Sequence, residues 1–294
     1  MRWIGPVSTM RCFLYSLVSP MEKDRFLVRT RGNRNGQCNI CGEVGNLTED
    51  HSPPKSCIKP TAVQVRHIVN LLANPEVQEK GRISQNGLKF RTLCARCNSQ
   101  LLGKLYDPAL SAFTTSVASV LESKLAFPRT LHIRGQPALI KRAIFGHLAA
   151  QGVERYLKGV HTETLRDAFL DPTKAFPENV RLYYWLFPHR GCILFRDAAI
   201  HDIPSGQTSV IWMMKFFPVS FLIAWEQTDE PMFDLPSLSG FPLRNPHDEV
   251  EIPIRLDTFP PRYWPEAPTD RTLLVYGQEA VFSVQHIASG RADG

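Results

Sequence analysis

Cys38-Asn39-Ile40-Cys41-Gly42 and, after 50 intervening residues, Leu93-Cys94-Ala95-Arg96-Cys97-Asn98 decide how this chain reads. Two Cys-x-x-Cys pairs supply four thiolates, and each pair can hold one edge of a tetrahedral metal ion from a tight turn. Zinc is the ion this ligand set predicts. The gap is too long for one hairpin, so the metal would tie together segments distant in sequence. Gly42 lets the backbone fold back over the ion. Between the pairs, Leu47-Thr48-Glu49-Asp50-His51 reads as a short strand stopped by Ser52-Pro53-Pro54, since proline cannot continue a ladder. Leu88 to Leu93 alternates as a half-buried strand with Lys89 and Arg91 on one face. Asn98 opens a helix expected to end near Tyr106-Asp107-Pro108, followed by another from about Pro108 to Leu125.

The chemistry these residues allow is specific. Phosphodiester hydrolysis needs a deprotonated water in line with phosphorus and a cation on the leaving oxygen. A neutral imidazole at a strand end, His51, can take the proton, because its ordinary pKa lies near neutrality. Asp50 and Asn98 offer hard oxygen donors suited to Mg²⁺ or Mn²⁺.

With Cys38-x-x-Cys41, Asp50-His51 and its following prolines, and Cys94-x-x-Cys97-Asn98-x₄-Gly103-x₃-Asp107 on the page, residues 36–110 resemble the zinc-stapled branch of the HNH endonuclease family. The resemblance implies a ββα-metal motif overlaid on a treble-clef zinc site. It also implies Asp50 and Asn98 as ligands of a catalytic divalent metal and His51 as general base. The family has an Asn shortly before the second knuckle, where this chain reads Lys89-Phe90-Arg91-Thr92. Asn86 or a backbone carbonyl is left to orient His51, or the site is inactive.

The 294 residues carry a net charge of +6 that is unevenly spread. Residues 1–130 hold 18 Lys/Arg against 9 Asp/Glu, a net +9, while residues 131–294 hold 16 against 19, a net −3. The basic half is the one with the cysteine motif, which favours a polyanionic partner there. Lys89, Arg91, Arg96 and Lys104 are the candidate phosphate contacts. DNA is the expected partner, with RNA left open, and a nicking enzyme of this kind could work as a homodimer. The remaining cysteines, Cys12, Cys57 and Cys192, are scattered singly, which suits a reducing compartment. No run of ~18 uninterrupted apolar residues predicts a membrane helix. Residues 1–20 make a poor signal peptide, so a cytoplasmic location is expected.

The expected fold is α+β. Residues 1–32 form an N-terminal extension and 33–127 a zinc-stapled module, followed over 128–294 by a helical segment and a mixed domain with a mostly antiparallel sheet. That last part would recognise a substrate or a protein partner. Within these bounds, residues 61–73 read as an inserted helix and 137–158 as an amphipathic one. Thr162 to Leu170 reads as a third. The runs 180–188, 192–195, 210–217, 220–225 and 272–275 read as strands, and 228–268 as a long surface excursion. His132 and His147 read as satisfied structural histidines. Besides a main activity in residues 128–294, with the aromatic-rich 183–225 as a ligand pocket that the zinc module only targets, two functions follow. One is a metal-dependent DNA endonuclease, by analogy of the kind found in mobile elements and antiphage defence. The other is a zinc module that binds nucleic acid or a protein without catalysis.

Overall fold

A computed structural model describes residues 29–67, 82–124, 126–157, 160–267, 269–276 and 281–286. The fold is mixed α+β with antiparallel sheets and few helices. Three strands, β1 (Asn35–Gln37), β2 (Val44–His51) and β5 (Lys89–Cys94), form a small sheet in the order β1-β2-β5. The segment between β2 and β5 leaves that sheet. It places β3 (Val63–His67) and β4 (Arg82–Ser84) at one edge of an eight-stranded sheet, ordered β4-β3-β13-β8-β9-β10-β7 with β12 paired to β8. The other members of this sheet are β7 (Val180–Leu186), β8 (Cys192–Asp202), β9 (Thr208–Phe216), β10 (Val219–Trp225), β12 (Thr272–Tyr276) and β13 (Val281–His286). A separate pair joins β6 (Thr130–Gly135) to β11 (Val250–Arg255).

The strand at 63–67 corrects the helix expected over 61–73. Val63 and Val65 are buried while Gln64 and Arg66 are half-buried, a period of two that β-branched residues favour. Partners on both sides, β4 and β13, satisfy the backbone. Ile68, Val69 and Leu72 lie outside the described residues. The expected helix end at Tyr106-Asp107-Pro108 is also corrected. Helix α1 (Arg96–Tyr106) is wound with π geometry and runs straight into α2 (Asp107–Leu121). The Asp107 N–H reaches back to the Leu102 carbonyl, and Pro108 falls in the first turn of α2, where its missing N–H costs nothing.

Helix α3 (Pro137–Ala149) ends eight residues or more before the expected limit, because Gly152 turns the chain at φ +83. It is not amphipathic: Leu139 through Ala149 are all buried. One side packs on α1 and α2, the other on the large sheet, while α4 (Val160–Leu170) closes a further flank. The excursion at 228–268 contains β11 and buries Phe233 and Leu238.

Alternation along the central strands builds two cores. Leu182, Tyr184, Met214 and Phe216 face the helices, in one cluster that runs from Cys38 to Ile254 and so takes residues from both sides of position 128. Tyr183, Trp185, Met213 and Ile211 face away and are covered by Phe233 and Trp264. The aromatic residues of 183–225 are therefore mostly core residues of these strands. Beneath the outer cover, fully buried Lys215 pairs with Glu266 at 2.5 Å and donates to the Arg262 and Trp264 carbonyls, pinning that segment.

Lys141 in α3 is buried with no carboxylate partner among the described residues. It donates to the Val180 carbonyl at 2.5 Å and to Ser239 Oγ at 2.9 Å. Burial, aided by neighbouring Arg142, pushes its ammonium down to about 7. Above that pH the folded side chain is neutral while the unfolded one is still charged, so this residue's contribution to stability improves as pH rises. Lys141→Met is thus expected to be more stabilising near pH 7 than near pH 9. The wild-type-to-mutant difference should change by about 2 kcal/mol over that range in urea unfolding, and a pH-independent difference would contradict the assignment.

Candidate metal centre and the adjoining acid–histidine site

Each cysteine pair is presented by a turn at the end of a strand. In the first, the Cys38 N–H donates to the Glu43 carbonyl and the Gly42 N–H to the Cys38 carbonyl, with Gly42 at φ +78. In the second, β5 delivers Cys94 and the start of α1 delivers Cys97. The Asn39 N–H donates to the Thr92 carbonyl at 2.9 Å, so the two turns are stitched together. All four sulfurs lie within 4.8 Å of one another, and Cys41 and Cys94 Sγ are 3.6 Å apart. A tetrahedral zinc with bonds of about 2.3 Å needs sulfurs about 3.8 Å apart. The four thiols can hold a zinc ion. Among the described residues no other His/Cys/Asp/Glu group has metal-site geometry, and this includes His189, Cys192 and His201. Cys57 stands outside the tetrad.

The first turn also caps a helix. Asn39 Nδ2 donates to the carbonyls of Ala149 and Gly152, and Thr92 Oγ1 to that of Ala150. Arg196 adds bonds to Ala149 and Gln151. The C-terminal carbonyls of α3, which have no partners within the helix, are thus satisfied by the metal module and by β8.

Successive side chains of β2 point to opposite faces. Asp50 turns inward toward α3 and is 4% exposed. His51 turns the other way and lines a pocket of about 30 Å³ with Ser52, Lys59, Thr61, Leu88 and Cys192, room for about two waters. Gly87, at φ +67, lies against the imidazole; a Cβ there would sit 3.5 Å from His51 Cδ2. The Asn86 backbone lies near enough to raise the imidazole pKa slightly, the smallest of the influences on it. His51 Nε2 is buried and has no hydrogen-bond partner among the described residues. Burial lowers the His51 pKa, and Lys89 and Lys55 push the same way against Asp50. The imidazole is neutral at neutral pH, the form that accepts a proton.

Sequence reasoning missed the role of His147. Its Nδ1 lies 2.8 Å from Asp50 Oδ2 and its Nε2 2.8 Å from Asp107 Oδ1. Burial by itself would push the imidazole down, but the two carboxylates outweigh it and raise the pKa to about 10. The imidazole is gripped through both ring nitrogens by the two carboxyl groups. Burial acts on the Asp50 carboxyl in the opposite sense, pushing its pKa up against the pull of His147. The expectation of an apolar setting for His147 holds for its helix neighbours and not for its ring. Asp107, expected as a helix cap, is the second anchor of that ring.

Asn98, in the first turn of α1, donates from Nδ2 to Thr48 Oγ1 at 2.8 Å and to the Glu49 carbonyl at 3.1 Å. Its amide is thereby held against the residue preceding Asp50, with the carbonyl end uncommitted. Asp50 Oδ2 is taken by His147, and Oδ1 has no hydrogen bond among the described residues. Of the candidate phosphate contacts, Lys89 and Arg91 pair with Glu49 at 2.8 and 2.9 Å. Arg96 is half-exposed, 3.9 Å from Glu43, and Lys104 is exposed. Lys55 and Lys59, beside His51, are exposed as well and were not singled out by sequence; their short run Pro-Pro-Lys was the only local signal. No helix among the described residues is long and apolar enough to cross a membrane. Compared with protein-family models, curated proteins and solved structures, the chain matches none.

Proposed function

We propose that this chain is a metal-dependent endonuclease of the HNH type acting on DNA. The observation that carries the reading is His51: its Nε2 is buried without a hydrogen-bond partner among the described residues, and its ring lines a pocket at the end of a strand beside the four-cysteine cluster. In this reading His51 Nε2 takes the proton from the attacking water. Asp50 and Asn98 would hold a Mg²⁺ or Mn²⁺ ion, which when bound supplies charge stabilisation at the leaving oxygen. Buried placement of the base keeps bulk water from competing for its lone pair. The zinc tetrad holds β2, β5 and α1 in register, so base and ligands keep their relative positions.

Phosphate contact in this reading falls to Lys55, Lys59, Arg96 and Lys104, with Lys89 and Arg91 both engaged by Glu49. Replacing Lys55 and Lys59 together by Gln is expected to reduce the salt dependence of DNA binding by about 2 in log–log slope, roughly one per lysine. A Lys89→Gln change should alter it far less. Equal slopes in fluorescence anisotropy titrations of the double variant and wild type would remove both lysines from the interface.

The reading is tested by incubating supercoiled plasmid with the zinc-loaded protein in Mg²⁺, Mn²⁺ or EDTA, with a structured RNA alongside. Metal-dependent nicking or linearisation supports it. A second reading, a zinc module that binds without cutting, is favoured by one observation: an Asp50 oxygen is already bound to His147. A gel shift without cleavage in any metal would select that reading.

A further inference from the structure

We infer that His147 is a positioning residue of the candidate site, orienting the Asp50 carboxylate for a divalent cation and itself held by Asp107. The inference rests on the reading of Asp50 as a metal ligand and extends the site to α3, beyond the stretch that carries the family resemblance.

A carboxylate at a strand end can rotate freely about its side-chain bonds, and a ligand that must be ordered on binding loses affinity. Here Asp50 is only 5% exposed at the side chain, and the His147 contact commits Oδ2 while Oδ1 has no hydrogen bond among the described residues. Asp107 shows the same division, Oδ1 on the imidazole and the side chain 14% exposed. The imidazole is thus gripped through both nitrogens, and its ring plane sets the direction of the Asp50 carboxylate. The backbone reinforces this, since the His147 carbonyl accepts from Ser52 Oγ at 3.2 Å, one residue past His51. The end of α3 that carries His147 is in turn capped by Asn39, inside the first cysteine pair. Metal knuckle, helix end, imidazole and carboxylate form one connected chain of contacts.

A purely structural role would be met more cheaply by apolar side chains, because burying three ionisable side chains offsets most of what their contacts return. Outer partners of metal ligands, by contrast, fix ligand orientation, and their loss typically costs about 10–100-fold in metal affinity or activity.

The test uses the full, zinc-loaded chain and its His147→Gln and Asp107→Asn variants. Mn²⁺ binding is followed by the electron paramagnetic resonance signal of the free ion, and plasmid nicking is measured against Mn²⁺ concentration. His147→Gln is expected to weaken Mn²⁺ binding about 10–100-fold with zinc content unchanged, and excess Mn²⁺ should restore nicking. A scaffold defect would not be rescued by added metal. Asp107→Asn, at the more exposed end of the trio, should show a smaller loss in the same direction and carries the test should His147→Gln not fold. Wild-type Mn²⁺ affinity in the folded variants would overturn the inference, as would a wild-type chain with no Mn²⁺ site. Wild-type protein that binds Mn²⁺ but cuts nothing would end the nuclease reading, while the variants' binding isotherms would still decide the role of His147.

Discussion

Cys97→Ser protein is expected to lose its zinc and the cooperative unfolding of the cysteine-bearing half. Cys97 and Cys38 are completely buried, and the four sulfurs join two turns that are otherwise linked by the Asn39–Thr92 backbone bond and the exposed Arg96–Glu43 ion pair. Structural zinc binding supplies on the order of 10 kcal/mol of folding free energy, comparable with the whole stability of a domain. The damage should spread, because the first turn also caps α3 and α3 is buried between α1, α2 and the large sheet. Zinc content by a colorimetric chelator and thermal unfolding by circular dichroism, run together, read the effect. The expected result is near-complete loss of bound zinc and a thermal midpoint lowered by more than ten degrees, about what several kcal/mol would do. A variant with unchanged zinc and midpoint would show that the tetrad holds no structural metal.

His51→Ala should separate chemistry from scaffold. If His51 Nε2 is the general base, plasmid nicking falls by about 10²–10⁴-fold, while zinc content, DNA affinity and the thermal midpoint stay close to wild type. The side chain is half-buried beside Gly87 and the pocket residues, so about 1 kcal/mol of stability is at stake. The pH dependence gives a second check. The depressed pKa of His51 keeps the base unprotonated through neutrality, so the wild-type rate should fall on acidification only below the ordinary histidine range. Retained nicking in His51→Ala would move the base elsewhere; loss of zinc or folding would make His51 a structural residue.

The local part of the molecule was legible in the chain. Two Cys-x-x-Cys turns announce a metal because both ligands of a pair must bite from a single turn, a requirement written within four residues. Strands β2, β5, β9 and β10 were legible for a similar reason: alternation and apolar runs bounded by prolines and turns are properties of neighbouring residues. Asp50-His51 stood out by adjacency, and its position at the mouth of β2 follows from the prolines behind it.

What escaped depends on partners far along the chain. Residues 63–67 show helical and strand spacing at once, and only pairing with β13, more than two hundred residues later, makes them a strand. Helix α3 was expected to show one polar face to solvent, yet it is enclosed, because its charged residues find buried partners: Arg142 on the carbonyls of Ala168, Pro172 and Lys174, and His147 on two carboxylates. The contact between His147 and Asp50 spans 97 positions, and no spacing rule marks either residue as the other's partner. Lys89 and Arg91, set on one strand face by alternation, face Glu49 across the ladder and not open solvent. By itself, then, the sequence determined the metal turns, the strand that presents His51 and the basic character of that half, all consequences of neighbours a few bonds apart. Tertiary structure alone decided which charges meet, since ion pairing between a helix and a strand follows from how the layers pack, which local periodicity does not encode.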